Sequence, residues 1–335
     1  MAVVGIETDQ YLMPHDDRER DRLDIMHTMI KVLRGQATRL TNTPTEALVR
    51  RPASLADYND RPRVLDLGCG TGIWMLDMAK QYPDAQFVGV DIHNMGPPTL
   101  LPNISIRAPW DYETIWAMGE HSWDLIHLQM GLGSVGDWLG LYRKVIQHLI
   151  PGRGWFEQVE IDFEPRCDDG TLPPGRLIDW WSMFVKPVYE ESKRPLHYDG
   201  QRIARELKAA GFVDIHSEEY RLPLNGWSQN PSERRAGMWW NIALSSGEEN
   251  TSGLGLEAMS LAPLCKYGGG SWTPEQVRRL CNEALVQATD PNIHASLTML
   301  PGGSLDFGWE RGSWYLDLSK QGPIVTNTDI AAQEY

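Results

Sequence analysis

Val64-Leu65-Asp66-Leu67-Gly68-Cys69-Gly70-Thr71-Gly72-Ile73-Trp74 is an apolar run that breaks into three glycines and passes into a helical stretch over residues 73–82. Glycines at a strand-to-helix turn let the backbone take positive φ and come close to a ligand. Such a turn makes a nucleotide-sized slot at the carboxyl edge of a parallel sheet. The dinucleotide fingerprint G-x-G-x-x-G would put its third glycine where Ile73 stands, whereas here it falls one residue earlier, at Gly72. Asp66 sits inside the strand, where a pyrophosphate would be repelled, so the spacing argues against a NAD-dependent oxidoreductase. A carboxylate there suits a cationic ligand such as the sulfonium and ammonium of S-adenosylmethionine. Downstream, Phe87-Val88-Gly89-Val90-Asp91 is a second apolar strand ending in an acid. Asp91 stands where a carboxylate accepts hydrogen bonds from ribose hydroxyls in a βαβ unit.

Working outward, Asp16 caps a helix carrying Leu23, Met26, Ile30 and Leu33 at helical spacing, with Gly35 as its stop. Residues 41–62 read as a polar, proline-punctuated connection. Residues 104–106 and 123–128 read as strands flanking a helix-like segment at 112–118. Asp137 caps a helix through Leu149, and residues 154–163 form a fifth strand. Leu177, Trp180, Phe184 and Val188 mark a long helix bent at Pro187. A shorter one ends at Gly211, and residues 212–215 return as a strand. The period is hard to follow from 225 to 270. Thr273-Pro274-Glu275-Gln276 is a capping box with proline in the first turn, opening a helix to about residue 286. Residues 293–300 read as the last strand. Strands and helices alternating at short intervals predict an α/β fold, a mostly parallel sheet covered on both faces.

The 335 residues are 41% hydrophobic and 23% charged, ordinary for a globular chain. The net charge of −14, with no basic cluster, disfavours direct binding to nucleic acid. Cys69, Cys167, Cys265 and Cys281 are too widely spaced for a zinc knuckle, so no metal is expected. No stretch nears the roughly 20 apolar residues that span a bilayer, and residues 1–10 lack a signal-peptide layout. A soluble, intracellular protein, cytoplasmic or nuclear, is the expectation.

The glycine loop and Asp91 resemble motifs I and II of class I S-adenosylmethionine-dependent methyltransferases. Longer stretches are similar to one subgroup, the fungal LaeA-like methyltransferases. These include Tyr11-Leu12-Met13-Pro14, residues 21–27, Ala108-Pro109-Trp110-Asp111-Tyr112 and residues 123–128. The most specific runs from Gly154 through Glu160 to Asp162 and on to Pro173. The resemblance implies a Rossmann-like methyltransferase domain over residues 61–300, with helical insertions at about 170–200 and 228–290. It also implies an N-terminal helical cap over 1–60, and a peripheral tail at 301–335. Carried over residue by residue, it implies cofactor contacts at Asp66, Gly68, Cys69, Gly70, Asp91, Ile92, Trp110 or Asp111, and His127, with Tyr11 as a lid.

Methyl transfer is an in-line displacement in which positioning does most of the work, and a base is needed only if the acceptor must lose a proton. His127, Gln129 and Glu160 are the polar candidates for catalysis at the sheet's carboxyl edge, and His27 and His197 lie on segments that could fold over it. The leading expectation is methylation of a small molecule of fungal secondary metabolism. The alternative is a LaeA-type nuclear regulator that binds S-adenosylmethionine and acts through protein partners. The 14 tryptophans include adjacent pairs at Trp180–Trp181 and Trp239–Trp240. Neighbours on a helix point about 100° apart. The helix of Trp180, Trp181 and Phe184 is therefore expected to roof an apolar acceptor pocket together with the first helix, with one tryptophan facing the cavity.

Overall fold

Asp16 does cap the first helix, α1 (Asp17–Leu33): its carboxylate accepts from the Glu19 amide at 2.9 Å. The helix buries Met26, Met29, Ile30 and Leu33 on one face. The computed structural model describes residues 12–35, 48, 61–151, 154–213, 215–245, 254–269 and 272–301. Tyr11, most of the 41–62 connection and the tail beyond residue 301 lie outside the described residues.

The apolar runs become β1 (Arg63–Leu67), β2 (Gln86–Val90), β3 (Ile104–Arg107), β4 (Leu125–Gln129) and β5 (Trp155–Arg166). Two further strands, β6 (Tyr220–Pro223) and β7 (Ser296–Pro301), complete a seven-stranded sheet in the order β3-β2-β1-β4-β5-β7-β6. Only β7 runs antiparallel to its neighbours. Helices α2 (Ile73–Gln81), α3 (Trp138–His148) and α6 (Gly200–Ala210) are among those that flank the sheet. The chain leaves β1 for β2 on one side and returns to β4 on the other. The crevice at their carboxyl ends is the topological switch point where open α/β sheets bind ligands.

Between β5 and α6 lies a helical segment of three parts, α4 (Leu177–Asp179), a π-helical turn (Trp180–Val185) and α5 (Lys186–Glu191), with Pro187 opening the last. Where a bend is expected at Pro187, a π-turn interrupts the helix on the proline's amino side. The stretch whose period was hard to follow resolves into α7 (Pro231–Ser245) and α8 (Leu254–Tyr267), followed by α9 (Pro274–Thr289) with its capping box complete. Both α7 and α8 pack against α1, and α9 packs on α8.

Two elements differ from expectation. Residues 112–118 form turns and not a helix, because the Lys144 ammonium takes the carbonyls of Tyr112, Glu113 and Thr114, and the Trp116 indole takes Tyr112 O at 2.8 Å. The strand expected at 212–215 is absent from the residues described there. The Phe212 amide closes α6 on Leu207 O, and pairing with β7 begins at Tyr220. Tryptophan serves mostly as core: Trp123, Trp138, Trp180, Trp181 and Trp240 are all buried. No helix among the described residues is long and apolar enough to cross a membrane.

Candidate active site

Gly68, Gly70 and Gly72 all hold positive φ, at 66°, 52° and 73°, a region that residues with a Cβ rarely occupy. The loop is anchored to the end of β2, where Val90 O accepts from the Gly68 and Cys69 amides at 2.9 and 3.0 Å. Asp91, the next residue, completes the frame. Its Oδ2 accepts from the Gly70 amide at 2.7 Å and its Oδ1 from the His93 amide at 2.9 Å. Its backbone oxygen accepts from the Trp110 amide. Burial raises the Asp91 pKa, against the pull of those amides. Burial, with Asp66 and Asp91 nearby, also pushes the Cys69 thiol well up, so it stays protonated and its backbone is the polar part it offers.

Asp66 and His127 are register partners on β1 and β4. Their buried side chains meet at 2.8 Å between Asp66 Oδ1 and His127 Nδ1. A carboxylate only accepts, so Nδ1 carries the proton. Nε2 then carries a lone pair and is buried with no hydrogen-bond partner. The Trp74 indole lies flat on the imidazole, centroids 3.7 Å apart and planes 1° from parallel. One Asp66 oxygen thus orients His127, while the residue itself stands in the wall of a cavity.

These groups line one cavity at the switch point. Asp66, Gly68, Cys69, Gly70, Asp91 and Ile92 are in its wall. Asp111, His127 and Gln129 join them from the exits of β3 and β4. Trp110 does not line the cavity: its amide is spent on Asp91 and its ring packs on Trp116. Glu160 lies behind the wall. It accepts from the Gly131 and Leu132 amides at 3.1 Å each and from Gln158 Nε2 at 3.0 Å. Burial pushes its pKa up to about 7. It pins the loop that presents Met130 and Leu132 to the cavity, with Met130 at φ 63°. His27 is bound to Asp77 at 3.2 Å, and His197 lies beside Asp162 and Glu164; neither lines the cavity.

The first helix covers the cavity as expected, contributing Glu19, Arg22, Leu23 and Met26. It is clamped to the glycine loop by Thr71 Oγ1 donating to Asp24 at 2.6 Å. His27 and Lys31 hold it to Asp77 of α2. The tryptophan helix does not share the roof. The Trp180 indole N–H donates to Ser260 at 2.9 Å, Trp181 is buried, and Phe184 packs edge-on against Trp272. Its hydrophobic payload went into fastening α8 to the segment after β5. The chain following α5 instead reaches the cavity through Arg194, bound to Glu113 at 2.6 Å. Sequence reading missed Glu19, Arg22, Thr71 and Arg194. Only the three-residue spacing of Glu19 and Arg22 offered a signal, and it looks like any solvated helix pair.

Residues 39–217 match the family model described as a methyltransferase domain. The chain is 42% identical over 284 residues to the secondary metabolism regulator laeA of Aspergillus fumisynnematus, covering 85% of this chain and 69% of that one. It is 41% identical over 291 residues to the protein-methionine methyltransferase laeA of Emericella nidulans, covering 87% and 71%. The secondary metabolism regulator LAE1 of Cochliobolus heterostrophus is 41% identical over 262 residues, covering 78% and 79%. The glycine cradle, the acid at the end of β2 and the acid-lined cavity fit S-adenosylmethionine, and the chain belongs to the LaeA-like family of S-adenosylmethionine-dependent methyltransferases.

Proposed function

We propose that this protein is a LaeA-type regulator of fungal secondary metabolism whose methyl acceptor is the thioether of a protein methionine. The observation that carries the acceptor is the cavity's character. Among the described residues it is walled by five methionines (Met13, Met26, Met95, Met130 and Met259). It sets five carboxylates (Glu19, Asp66, Asp91, Asp111 and Glu113) against two guanidiniums, Arg22 and Arg194. An apolar wall desolvates a thioether at little cost, and the acidic lining favours the sulfonium formed when it is methylated. A thioether sulfur attacks through a lone pair with no proton to lose, so general-base catalysis is not required. The regulatory role rests on the 42% identity to a chain named as a regulator, and the acceptor agrees with the name of the Emericella relative.

The cofactor, when bound, supplies an electrophilic methyl group. In this reading the Gly68–Gly70 backbone and Ile92 bracket it, Asp91 accepts from its ribose, and Asp111 stands at the exit of β3. His127 and Gln129 border the reacting end. The unpartnered Nε2 of His127 supports a second reading: a base that deprotonates a small hydroxylated acceptor.

One experiment separates the two. Purified protein is incubated with methyl-labelled cofactor and extract of the native cell, and label is counted in protein and in solvent-extractable fractions, for wild type and His127→Asn. Label on protein methionine, retained in His127→Asn, is expected. Label confined to a small molecule and lost with His127 would overturn the reading.

A further inference from the structure

Glu19 and Arg22 form an ion pair of unusual placement. They lie one turn apart on α1, with side chains 4% and 7% exposed, and both face the cavity. Arg22 Nε donates to Glu19 Oε2 at 2.7 Å and Nη2 to Oε1, a bidentate fork. Its remaining terminal nitrogen turns toward Met26 Sδ. Removing two charges from water costs several kcal/mol per ion before their attraction is counted, and apolar residues of similar volume often serve stability as well or better. A buried ion pair in a cavity wall is therefore poorly explained as a brace for the helix.

Its position gives it another use. The next residue, Leu23, rests so close to the glycine loop that a Cβ added at Gly70 would stand 3.3 Å from Leu23 Cδ1. The residue after that, Asp24, takes the Thr71 hydroxyl at 2.6 Å. The pair thus hangs beside the glycine loop, the same loop that Asp91 frames through the Gly70 amide.

S-adenosylmethionine ends in an amino acid, with a carboxylate and an ammonium on one carbon. In a water-poor cavity each needs a partner of opposite sign. The wall holds a second ion pair, Arg194 with Glu113, but Glu113 also takes the Gly136 and Asp137 amides and Arg194 the Ser134 carbonyl, so that pair braces the loop after β4. His127 gives its Nδ1 proton to Asp66. The remaining wall charges are carboxylates, which repel an anion. We propose that the Glu19–Arg22 pair is the clamp for the amino-acid end of the cofactor: the Arg22 guanidinium takes the carboxylate and Glu19 the ammonium. A side-by-side pair of opposite charges matches a zwitterion better than either charge alone, and guanidinium meets carboxylate through two parallel hydrogen bonds. The clamp deepens the cofactor site proposed above and rests on that reading.

The test compares two ligands by calorimetric titration. S-adenosylhomocysteine carries the amino acid, and 5′-methylthioadenosine lacks it while keeping the adenosine. Arg22→Gln should weaken S-adenosylhomocysteine about tenfold or more, the scale of one charge-assisted hydrogen bond. It should leave methylthioadenosine within about twofold, which also reports that the variant is folded. Should Arg22→Gln lose both ligands, the paired variant Glu19→Gln/Arg22→Gln, which strands no buried charge, decides by the same comparison. Equal weakening of both ligands in that variant, or unchanged S-adenosylhomocysteine binding in either, overturns the clamp. Wild-type protein that binds neither ligand refutes the cofactor site itself.

Discussion

Replacing Asp91 with asparagine keeps the size of the side chain and removes one acceptor. In the native loop the two carboxylate oxygens each accept a separate backbone N–H, from Gly70 at 2.7 Å and His93 at 2.9 Å. Asparagine offers one oxygen, and its amide group must face the other N–H. Leaving a buried donor without an acceptor costs about 1–3 kcal/mol. At roughly 2–4 °C per kcal/mol for a chain of some hundreds of residues, the melting temperature should fall by about 2–12 °C. The ribose reading adds a separate loss. A carboxylate that accepts from hydroxyls contributes about 1.5–3 kcal/mol per bond, so S-adenosylhomocysteine affinity should drop at least about tenfold. Scanning fluorimetry reads the first effect and calorimetric titration the second. A fall in melting temperature with affinity unchanged would refute the ribose role while sparing the loop argument. Wild-type values of both would refute the reasoning about Asp91 altogether. Acid pH should imitate the mutation for binding. Burial raises the Asp91 pKa, so the carboxylate the ribose needs is lost on acidification sooner than for an ordinary aspartate.

Glu160→Gln tests the carboxyl whose pKa burial raises from 4.5 to about 7. A raised acid stabilises the fold below its unfolded pKa and loses that contribution as pH rises through the folded value. Wild-type stability should therefore descend by on the order of 3 kcal/mol between pH 4.5 and 7 from this group. In the glutamine variant, denaturant unfolding across that range should show a shallower descent, and parallel curves would count against the assignment. Asp77 behaves oppositely. Its hydrogen bond from His27, reinforced by Lys31, lowers its pKa, so its contribution is present above the ordinary aspartate pKa and fades as pH falls. Asp77→Asn should cost about 1 kcal/mol at neutral pH and flatten the acid limb of the stability curve; equal stability at neutral pH would show that the α1–α2 clamp contributes nothing.

Where local chemistry dictates the backbone, the sequence was legible. The glycines at 68, 70 and 72 mark positions of positive φ, and each is found there. Asp16, Asp137 and Thr273 announce helix starts through side chains that accept from amides three residues on, and all three do so. The failures have causes of their own. Residues 112–118 carry helix-like spacing, but a lysine 30 residues away claims their carbonyls, and no local window of sequence contains that lysine. At 212–215 the Phe212 amide closes α6 on Leu207 O, and pairing with β7 begins only at Tyr220.

The site divides along the same line. Asp91 and the glycine loop could be found because one βαβ unit holds them, with the ligand at its own switch point. The covering wall could not, because its meaning depends on α7 and α8, more than 200 residues on in the chain, packing against α1. Read alone, Asp17-Arg18-Glu19-Arg20-Asp21-Arg22 looks like a helix end dissolved in water. Arg20 fits that picture with a side chain 39% exposed, while Arg22, two residues on, is 7% exposed. Two steps along a helix rotate a side chain by about 200°, enough to pass from solvent to the cavity once neighbours close over one face. Tryptophan misled in the mirror sense. Trp180 and Trp181 looked like the furnishing of a pocket, yet they fasten the layer that encloses it. Charge facing inward and aromatic surface spent on packing are what a buried site for a zwitterionic ligand requires: the ionic groups meet the ligand, and the apolar mass keeps water from competing for them.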